Sequence, residues 1–471
     1  MQKIIIKNFG AVKNAEIEIK PILVLIGEQA SGKSTIAKLI YFFKSLRDDF
    51  FNRIYQDSSE KNNIDIKNSL ILLVTVKFYD FFGHSPNFSR FEIVYYYNLK
   101  EDSYIKLKFN KNHKLSIYIN NNFLKPEVAK EIYGITQDFQ KNDLSKYSWR
   151  QIFHEQKNRE YIRHLSSLVN NIFHTYHNYA LFVIAGRNAT VSYSDLFEKY
   201  LFANLQNKIE VAQKQSLSEK QQTIDENLML FFIERVVKVR SLFNKYGGSF
   251  ETLKKRYIEN YYVRKHEKLD KIIEKINSIL KGKYTSDSNG EKLIIDEENG
   301  HSVFLNNASS GQQEAIRILQ DIFLVLLEQE KAFRIIEEPE AHLFPVAQKQ
   351  LIELLAYYAN QGNELIITTH SPYVLTVFNN LLFANRVVTK NENAESEVSK
   401  IIEKDIRLKQ NDFAAYSLTS TLNEAQEVYC EDILNKKTGL INQNYLDTVS
   451  ELLGNDFNNL YSIHAKSFAR K

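Results

Sequence analysis

The sequence predicts an α/β fold, and three stretches carry the prediction. The first is a short apolar run, Ile22-Leu23-Val24-Leu25-Ile26. It leads into Gly27-Glu28-Gln29-Ala30-Ser31-Gly32-Lys33-Ser34, and then into residues 35–42, whose apolar side chains recur at helical spacing. The order is strand, phosphate-binding loop, helix. The second stretch is Phe333-Arg334-Ile335-Ile336, of strand length, ending in Glu337-Glu338-Pro339-Glu340. The third is Leu365-Ile366-Ile367, ending in Thr368-Thr369-His370-Ser371-Pro372. Buried strands with polar C-terminal ends belong to a parallel sheet whose ligand sits at those ends.

The elements follow in order. Ile4-Ile5-Ile6 and the alternating Ala15-Glu16-Ile17-Glu18-Ile19 flank a turn at Asn8-Phe9-Gly10 and read as two strands. The phosphate loop and its helix come next, and residues 46–65 read as loop or frayed helix. Residues 68–125 carry strand signals at 70–78, 91–97, 104–109 and 115–119, joined by short polar connections, as in an antiparallel meander. Residues 126–180 read as mostly helical, and Leu181-Phe182-Val183-Ile184-Ala185-Gly186-Arg187 as a buried strand ending in a cation.

Residues 195–282 form the longest helical stretch. Leu269, Ile272, Ile273, Ile276, Ile279 and Leu280 recur at helical spacing, Gly247-Gly248 marks a break, and an antiparallel helical arm is expected. A strand near 293–295, a helix from Ala308, the strand 333–336, a helix near 347–358 and the strand 365–367 complete the core. The remaining residues, 371–471, read as a mixed tail, with a strand near 386–388 and an amphipathic helix at 445–453. The expected division is 1–194, the N-terminal half of the core with its β-rich subdomain; 195–285, the arm; 286–390, the C-terminal half of the core; and 391–471, the tail.

Composition narrows the class. A chain of 471 residues holds several structural units, and 44% hydrophobic with 25% charged residues is ordinary for a soluble protein. A net charge of +4 is too small to argue nucleic-acid binding by itself. One cysteine, Cys430, excludes an internal disulfide and any Cys-x-x-Cys zinc site, and fits a cytoplasmic location. The chain enters a strand at once, so no signal peptide is expected, and no apolar run reaches the roughly 18–20 residues of a membrane span.

The loop's chemistry is specific. Gly27 and Gly32 let the backbone curl so that successive N–H groups point inward, where the helix N-terminus adds partial positive charge. Lys33 reaches β- and γ-phosphates, and the Ser34 hydroxyl is a ligand for Mg²⁺. ATP or GTP is the expected ligand. Of the two acids after Ile336, one suits Mg²⁺ held through water and the other the attacking water. His370 is placed to reach a γ-phosphate. Asn307-Ala308-Ser309-Ser310-Gly311-Gln312-Gln313-Glu314 opens an apolar helix with small hydroxyls and a glycine, a second anion site.

Phosphate loop, Ser-Ser-Gly-Gln-Gln, Glu-Glu-Pro-Glu-Ala-His-Leu and Thr-Thr-His-Ser-Pro in this order resemble an ATP-binding-cassette (ABC-type) ATPase, in the branch of the OLD-family and related stand-alone ATPases. The resemblance covers roughly 1–45 and 290–390. It implies an ABC-type P-loop ATPase core with an antiparallel β subdomain and a helical arm insertion, using ATP and Mg²⁺. It also implies that Gly27, Ser31, Gly32, Lys33, Ser34 and Thr35 bind nucleotide and metal. Glu337 becomes the metal-side acid, Glu338 the catalytic base and His370 the switch histidine. Ser310 and Gly311 become the signature that caps ATP held by another subunit, with 340–344 at the subunit interface, so the active unit is a dimer or larger oligomer.

The sequence departs from the family in three places. Glutamate stands at 337 where ordinary cassettes carry aspartate, as is usual in the OLD branch. The glutamine that cassettes place after the β-rich subdomain has no good counterpart, since Gln137 and Gln140 fit poorly. Residues 184–187 resemble a Pro-Ala-Gly-Arg segment without its proline, and Arg187 receives no role.

OLD nucleases append a metal-dependent nuclease domain that needs an Asp-x-Asp pair, and the residues after His370 contain none. The expectation is an ATPase without its own nuclease, most like the PARIS-type ATPase of bacterial anti-phage defence. Such an ATPase would sense DNA or a phage protein and control a separate toxin or nuclease effector, with no membrane partner. The alternatives are a DNA-repair or chromosome-associated ATPase that clamps DNA and, weakest, a transporter subunit.

Overall fold

The computed structural model describes residues 1–59, 65–83, 90–109, 114–141, 156–177, 179–193, 199, 223–261, 268–419, 429–442, 456–458 and 460. In chain order the first elements are β1 (Gln2–Phe9), β2 (Val12–Ile19), β3 (Ile22–Gly27), α1 (Lys33–Ser59), α2 (Ile66–Phe82), β4 (Glu92–Asn98), β5 (Ser103–Phe109) and β6 (Leu115–Ile119). Next come α3 (Pro126–Lys141), α4 (Gln156–Phe173), β7 (Ala180–Val183), α5 (Ala189–Ser192), α6 (Ile224–Lys245), α7 (Phe250–Tyr261) and α8 (Leu269–Leu280). Then follow β8 (Lys283–Asp287), β9 (Gly290–Asp296), β10 (His301–Phe304), α9 (Ser310–Glu328), β11 (Phe333–Glu337), α10 (Pro345–Asn360) and β12 (Glu364–Thr369). The last are α11 (Pro372–Lys390), α12 (Glu395–Ile401), β13 (Phe413–Leu418) and β14 (Cys430–Asp432).

The central sheet has the order β14-β13-β3-β12-β11-β7 and is parallel from β13 to β7. Its strands are buried on both faces, which is why they read as near-continuous apolar runs. Register aligns their C-terminal ends: Glu337 pairs with Thr368, Thr369 with Ile26, and Leu418 with Gly27. The phosphate loop, the two acids and His370 therefore emerge along one edge of the sheet.

An antiparallel sheet, β2-β1-β4-β5-β6, forms the β subdomain. Its inward face, including Ile4, Ile6, Ile93, Tyr95, Ile105 and Leu107, is fully buried. Phe43 of α1 stacks on Tyr95 at 4.8 Å, joining this sheet to the phosphate-loop helix.

Three sequence assignments are corrected. Residues 70–78, expected as a strand, lie in α2. The Asp65 side chain accepts from the Lys67 and Asn68 amides, and Ile66, Leu70, Val74 and Phe78 are buried at a spacing of four. Residues 46–65, expected as loop or frayed helix, instead extend α1 as far as Ser59, because Leu46, Phe50 and Ile54 carry its buried face onward. Residues 386–388 belong to α11, which Pro372 opens and Leu375, Phe378 and Leu382 bury.

The strand expected near 293–295 is β9. It belongs to a separate three-stranded antiparallel sheet, β10-β9-β8, rather than to the nucleotide sheet. In 195–285 the helices break at Gly247-Gly248, as expected. Among the described residues, α6 packs on β7 and α9, and α8 packs on α9 and α10 through its apolar stripe. The tail supplies β13, which lies directly beside β3, so residues after 391 complete the central sheet. The helix expected at 445–453 lies outside the described residues. Among those described, no helix is long and apolar enough to cross a membrane.

Candidate functional site

The loop between β3 and α1 shows why its glycines are glycines. Gly27 has φ +153°, and a Cβ there would lie 2.1 Å from the Leu418 carbonyl oxygen. Gly32 has φ +91°, and a Cβ there would meet the Tyr429 hydroxyl at 2.7 Å. Tyr429 donates that hydroxyl to the Ser31 carbonyl. Two residues of the tail thus press on the loop, and neither had a sequence signal.

Lys33 is buried at the start of α1. Its ammonium donates to the Gly27 carbonyl at 2.8 Å and the Glu28 carbonyl at 2.6 Å, and lies 3.5 Å from Ser31 Oγ. Burial lowers its proton affinity below the usual lysine value, and the charges of Glu338 and Glu28 act in the opposite direction. Ser34 is exposed and Thr35 half-buried on the first turn.

Lys33, His370 and Glu338 form a chain of contacts. The Lys33 ammonium lies 3.4 Å from His370 Nδ1, and His370 Nε2 lies 3.0 Å from Glu338 Oε1. The network assigns Nδ1 as acceptor from lysine and Nε2–H as donor to the carboxylate. Glu338 holds φ +43°, in the left-handed region, while its amide donates to the Thr368 carbonyl at 2.8 Å. The backbone turns abruptly at the end of β11 and carries the Glu338 side chain to His370.

Glu337, one residue earlier, is buried. Its Oε2 accepts from the Ala185 amide at 3.2 Å, and its Oε1 has no hydrogen-bond partner. A buried carboxylate oxygen left unpaired is costly and calls for an explanation. Glu340 is buried too. It accepts from the Thr369 hydroxyl, whose Oγ1 in turn accepts from the Ser371 amide at 2.9 Å, and burial raises its carboxyl above the usual range. The turn 338–340 and the residues around His370 are therefore held together.

Ser310 and Gly311 sit at the start of α9. Ser309, rather than Ser310, is the cap, in a reciprocal capping box with Gln312. Ser310 is exposed. A Cβ at Gly311 would lie 2.5 Å from the His342 carbonyl oxygen, so this helix start abuts the turn after β11. Gln137 lies in α3, which packs on α1 and α4. The group that approaches Glu337 from the neighbouring strand is instead the backbone amide of Ala185. Arg187 is fully buried, and its guanidinium fans out over the carbonyls at the C-terminal end of β11.

A glycine-formed loop at the end of a parallel strand, a lysine at its helix start, and two carboxylates with a histidine on the adjoining strand ends define a P-loop nucleotide-binding core. A family model described as "AAA ATPase domain" matches residues 1–375, and the chain belongs to that family. No protein of curated function matches it in sequence. Solved structures similar to it include an SMC head domain from Thermotoga maritima, at 10% identity and TM-score 0.33, covering 80% of this chain and 90% of that one. An Smc head bound to the C-terminal winged-helix domain of ScpA aligns at 12% identity and TM-score 0.35, over 80% and 91% of the two chains. An Smc head with an extended coiled coil, bound to a ScpA domain derived from Pyrococcus furiosus, aligns at 12% and 0.33, over 80% and 92%.

Proposed function

We propose that the chain binds ATP with Mg²⁺ at loop 27–35 and hydrolyses it, with Glu338 as the base. The observation that carries this reading is the chain Lys33–His370–Glu338 beside the unpartnered Glu337 Oε1. Loop amides and the Lys33 ammonium hold the phosphates. The exposed Ser34 hydroxyl and the free Glu337 oxygen are hard oxygen donors that fit Mg²⁺. Bound there, the metal would offset phosphate charge. Glu338 takes the proton of the attacking water, and His370, donating through Nε2, fixes the carboxylate's orientation.

Ser310 and Gly311 serve the nucleotide of a second copy, so the active unit is at least a dimer. The exposed Phe344, Val346 and Tyr373, at 75%, 55% and 53%, support burial of that surface. The resemblance to PARIS-type ATPases, together with the missing Asp-x-Asp pair, leads us to a regulatory role: nucleotide state controls a separate toxin or nuclease effector in anti-phage defence, with DNA or a phage protein as trigger.

Steady-state hydrolysis and sedimentation of the purified chain test this. Expected are Mg²⁺-dependent turnover, its loss in Lys33→Ala together with ATP binding, and ATP-dependent dimers that accumulate in Glu338→Gln. A strict monomer with full activity would overturn the composite site.

A further inference from the structure

Residues 184–192 touch both halves of the proposed chemistry. Arg187 Nη1 donates to the Ile184 carbonyl at 3.2 Å and the Glu337 carbonyl at 2.8 Å. Nη2 donates to the Glu338 carbonyl at 3.0 Å and the Pro339 carbonyl at 3.5 Å. Nε donates to the Glu314 carbonyl at 3.0 Å and lies 3.2 Å from Glu314 Oε2. One planar fork therefore grips the turn that carries the carboxylates and the second turn of α9. Only a guanidinium offers donors in that fixed spread.

Two further contacts repeat the bridge. The Ala185 amide binds Glu337, and the Ser192 hydroxyl donates to Gln313 Oε1 at 3.0 Å. Gln313 Nε2 in turn donates to the carbonyls of Leu305, Asn306 and Ala308, which make up the loop before Ser310.

We propose that residues 184–192 are a strut fixing the start of α9 to the carboxylate-bearing end of β11, with Arg187 as its positioning residue. Its consequence for turnover rests on the reading of Glu338 as base and of Ser310-Gly311 as the contact to a second copy's ATP. Under that reading the strut ties parts that act on two different nucleotides. The carboxylates act on the ATP of their own loop, and Ser310 acts on the ATP of the partner. Movement at one nucleotide is thereby passed to the other through this strut.

The test has two arms. Amide hydrogen exchange on the nucleotide-free chain reads the strut without reference to catalysis. Arg187→Lys is expected to speed exchange in both 305–314 and 337–343, and the exposed Ser192→Ala only in 305–313. Faster exchange confined to 184–192, or none, overturns the strut. Should Arg187→Lys fail to fold, unchanged exchange at 305–313 in Ser192→Ala overturns it.

The kinetic arm expects Arg187→Lys to lower kcat at least about tenfold while binding of a fluorescent ATP analogue stays within about threefold. Ser192→Ala should cost about two- to fivefold, and the two effects should be less than multiplicative. Equal losses in affinity and kcat would make Arg187 merely structural and overturn its positioning role. Glu338→Gln runs in parallel. If it keeps the wild-type rate, the catalytic reading fails while the exchange arm still decides the strut.

Discussion

At the N-terminal end of β11, Arg334 is fully buried and shares Asp321 with Arg235. Arg334 binds the carboxylate through Nε at 2.5 Å and Nη2 at 3.2 Å, and Arg235 binds it through Nε at 2.6 Å. Both guanidinium groups lie over the Tyr179 ring, at 4.4 and 5.1 Å. At the C-terminal end of the same strand, Arg187 is equally buried, yet Glu337 and Glu340 each keep one oxygen without a partner. Both ends combine buried arginine with buried carboxylates, but the outcomes differ. A carboxylate saturated by two cations has nothing left to offer and serves as mortar. A carboxylate gripped through its backbone, with an oxygen to spare, is ready for a ligand.

The largest expected effect lies at the ligand-ready end. Glu338→Gln removes the proposed base and keeps the shape, so kcat should fall by about 10²–10⁴ with ATP affinity retained. Single-turnover hydrolysis and calorimetry check both halves. A variant at the wild-type rate would end the contrast between the two clusters.

At the saturated end the loss should fall on stability. Asp321→Ala leaves two buried guanidinium groups without their anion and should cost about 3–5 kcal/mol in denaturant unfolding. The folded fraction should bind ATP normally. A loss of affinity larger than the loss of folded protein would place this cluster in the site after all.

Acid should reach the same cluster next. Burial alone would push the Asp321 carboxyl up, but Arg334 and Arg235 outweigh it and hold it down at about 2, against an ordinary 3.8. A folded-state value below the unfolded one adds stability that is present above about pH 4 and is lost as pH falls toward 2. The contribution is about 2 kcal/mol. Unfolding midpoints across that window measure it.

The smallest effect is expected from Tyr429→Phe, which removes the hydroxyl held by the Ser31 carbonyl. It should weaken ATP binding by about two- to fivefold, the worth of one hydrogen bond. An unchanged affinity would mean that the tail only borders the loop.

What was legible in the sequence is what is local. A strand, a glycine-formed turn and a helix start lie within about fifteen consecutive residues, and the acid and histidine motifs end strands that are apolar on both faces. Two of the errors arose where β-branched residues lie in helices. Val74 and Val76 in α2, and Val387 and Val388 in α11, carry strand propensity, but the burial spacing of their neighbours decides. The role of Arg187 was not legible, because its partners are backbone carbonyls some 150 residues away that bear no side-chain signature. β13 was missed for a related reason. Phe413-Ala414-Ala415-Tyr416-Ser417-Leu418 is short and alanine-containing, and only its neighbour β3 makes it a central strand.

That late strand bears on how the protein is made. β3 forms at residue 22, but its place in the sheet is flanked by β12 on one side and β13 on the other. A ribosome emitting residues in order at about 5–20 per second exposes the loop tens of seconds before residues 413–418 exist. Until they emerge, β3 presents an open edge, and Gly27 has no Leu418 carbonyl against it. The nascent chain therefore carries its nucleotide loop unfinished until residues 413–418 are made, and the arrival of β13 closes it.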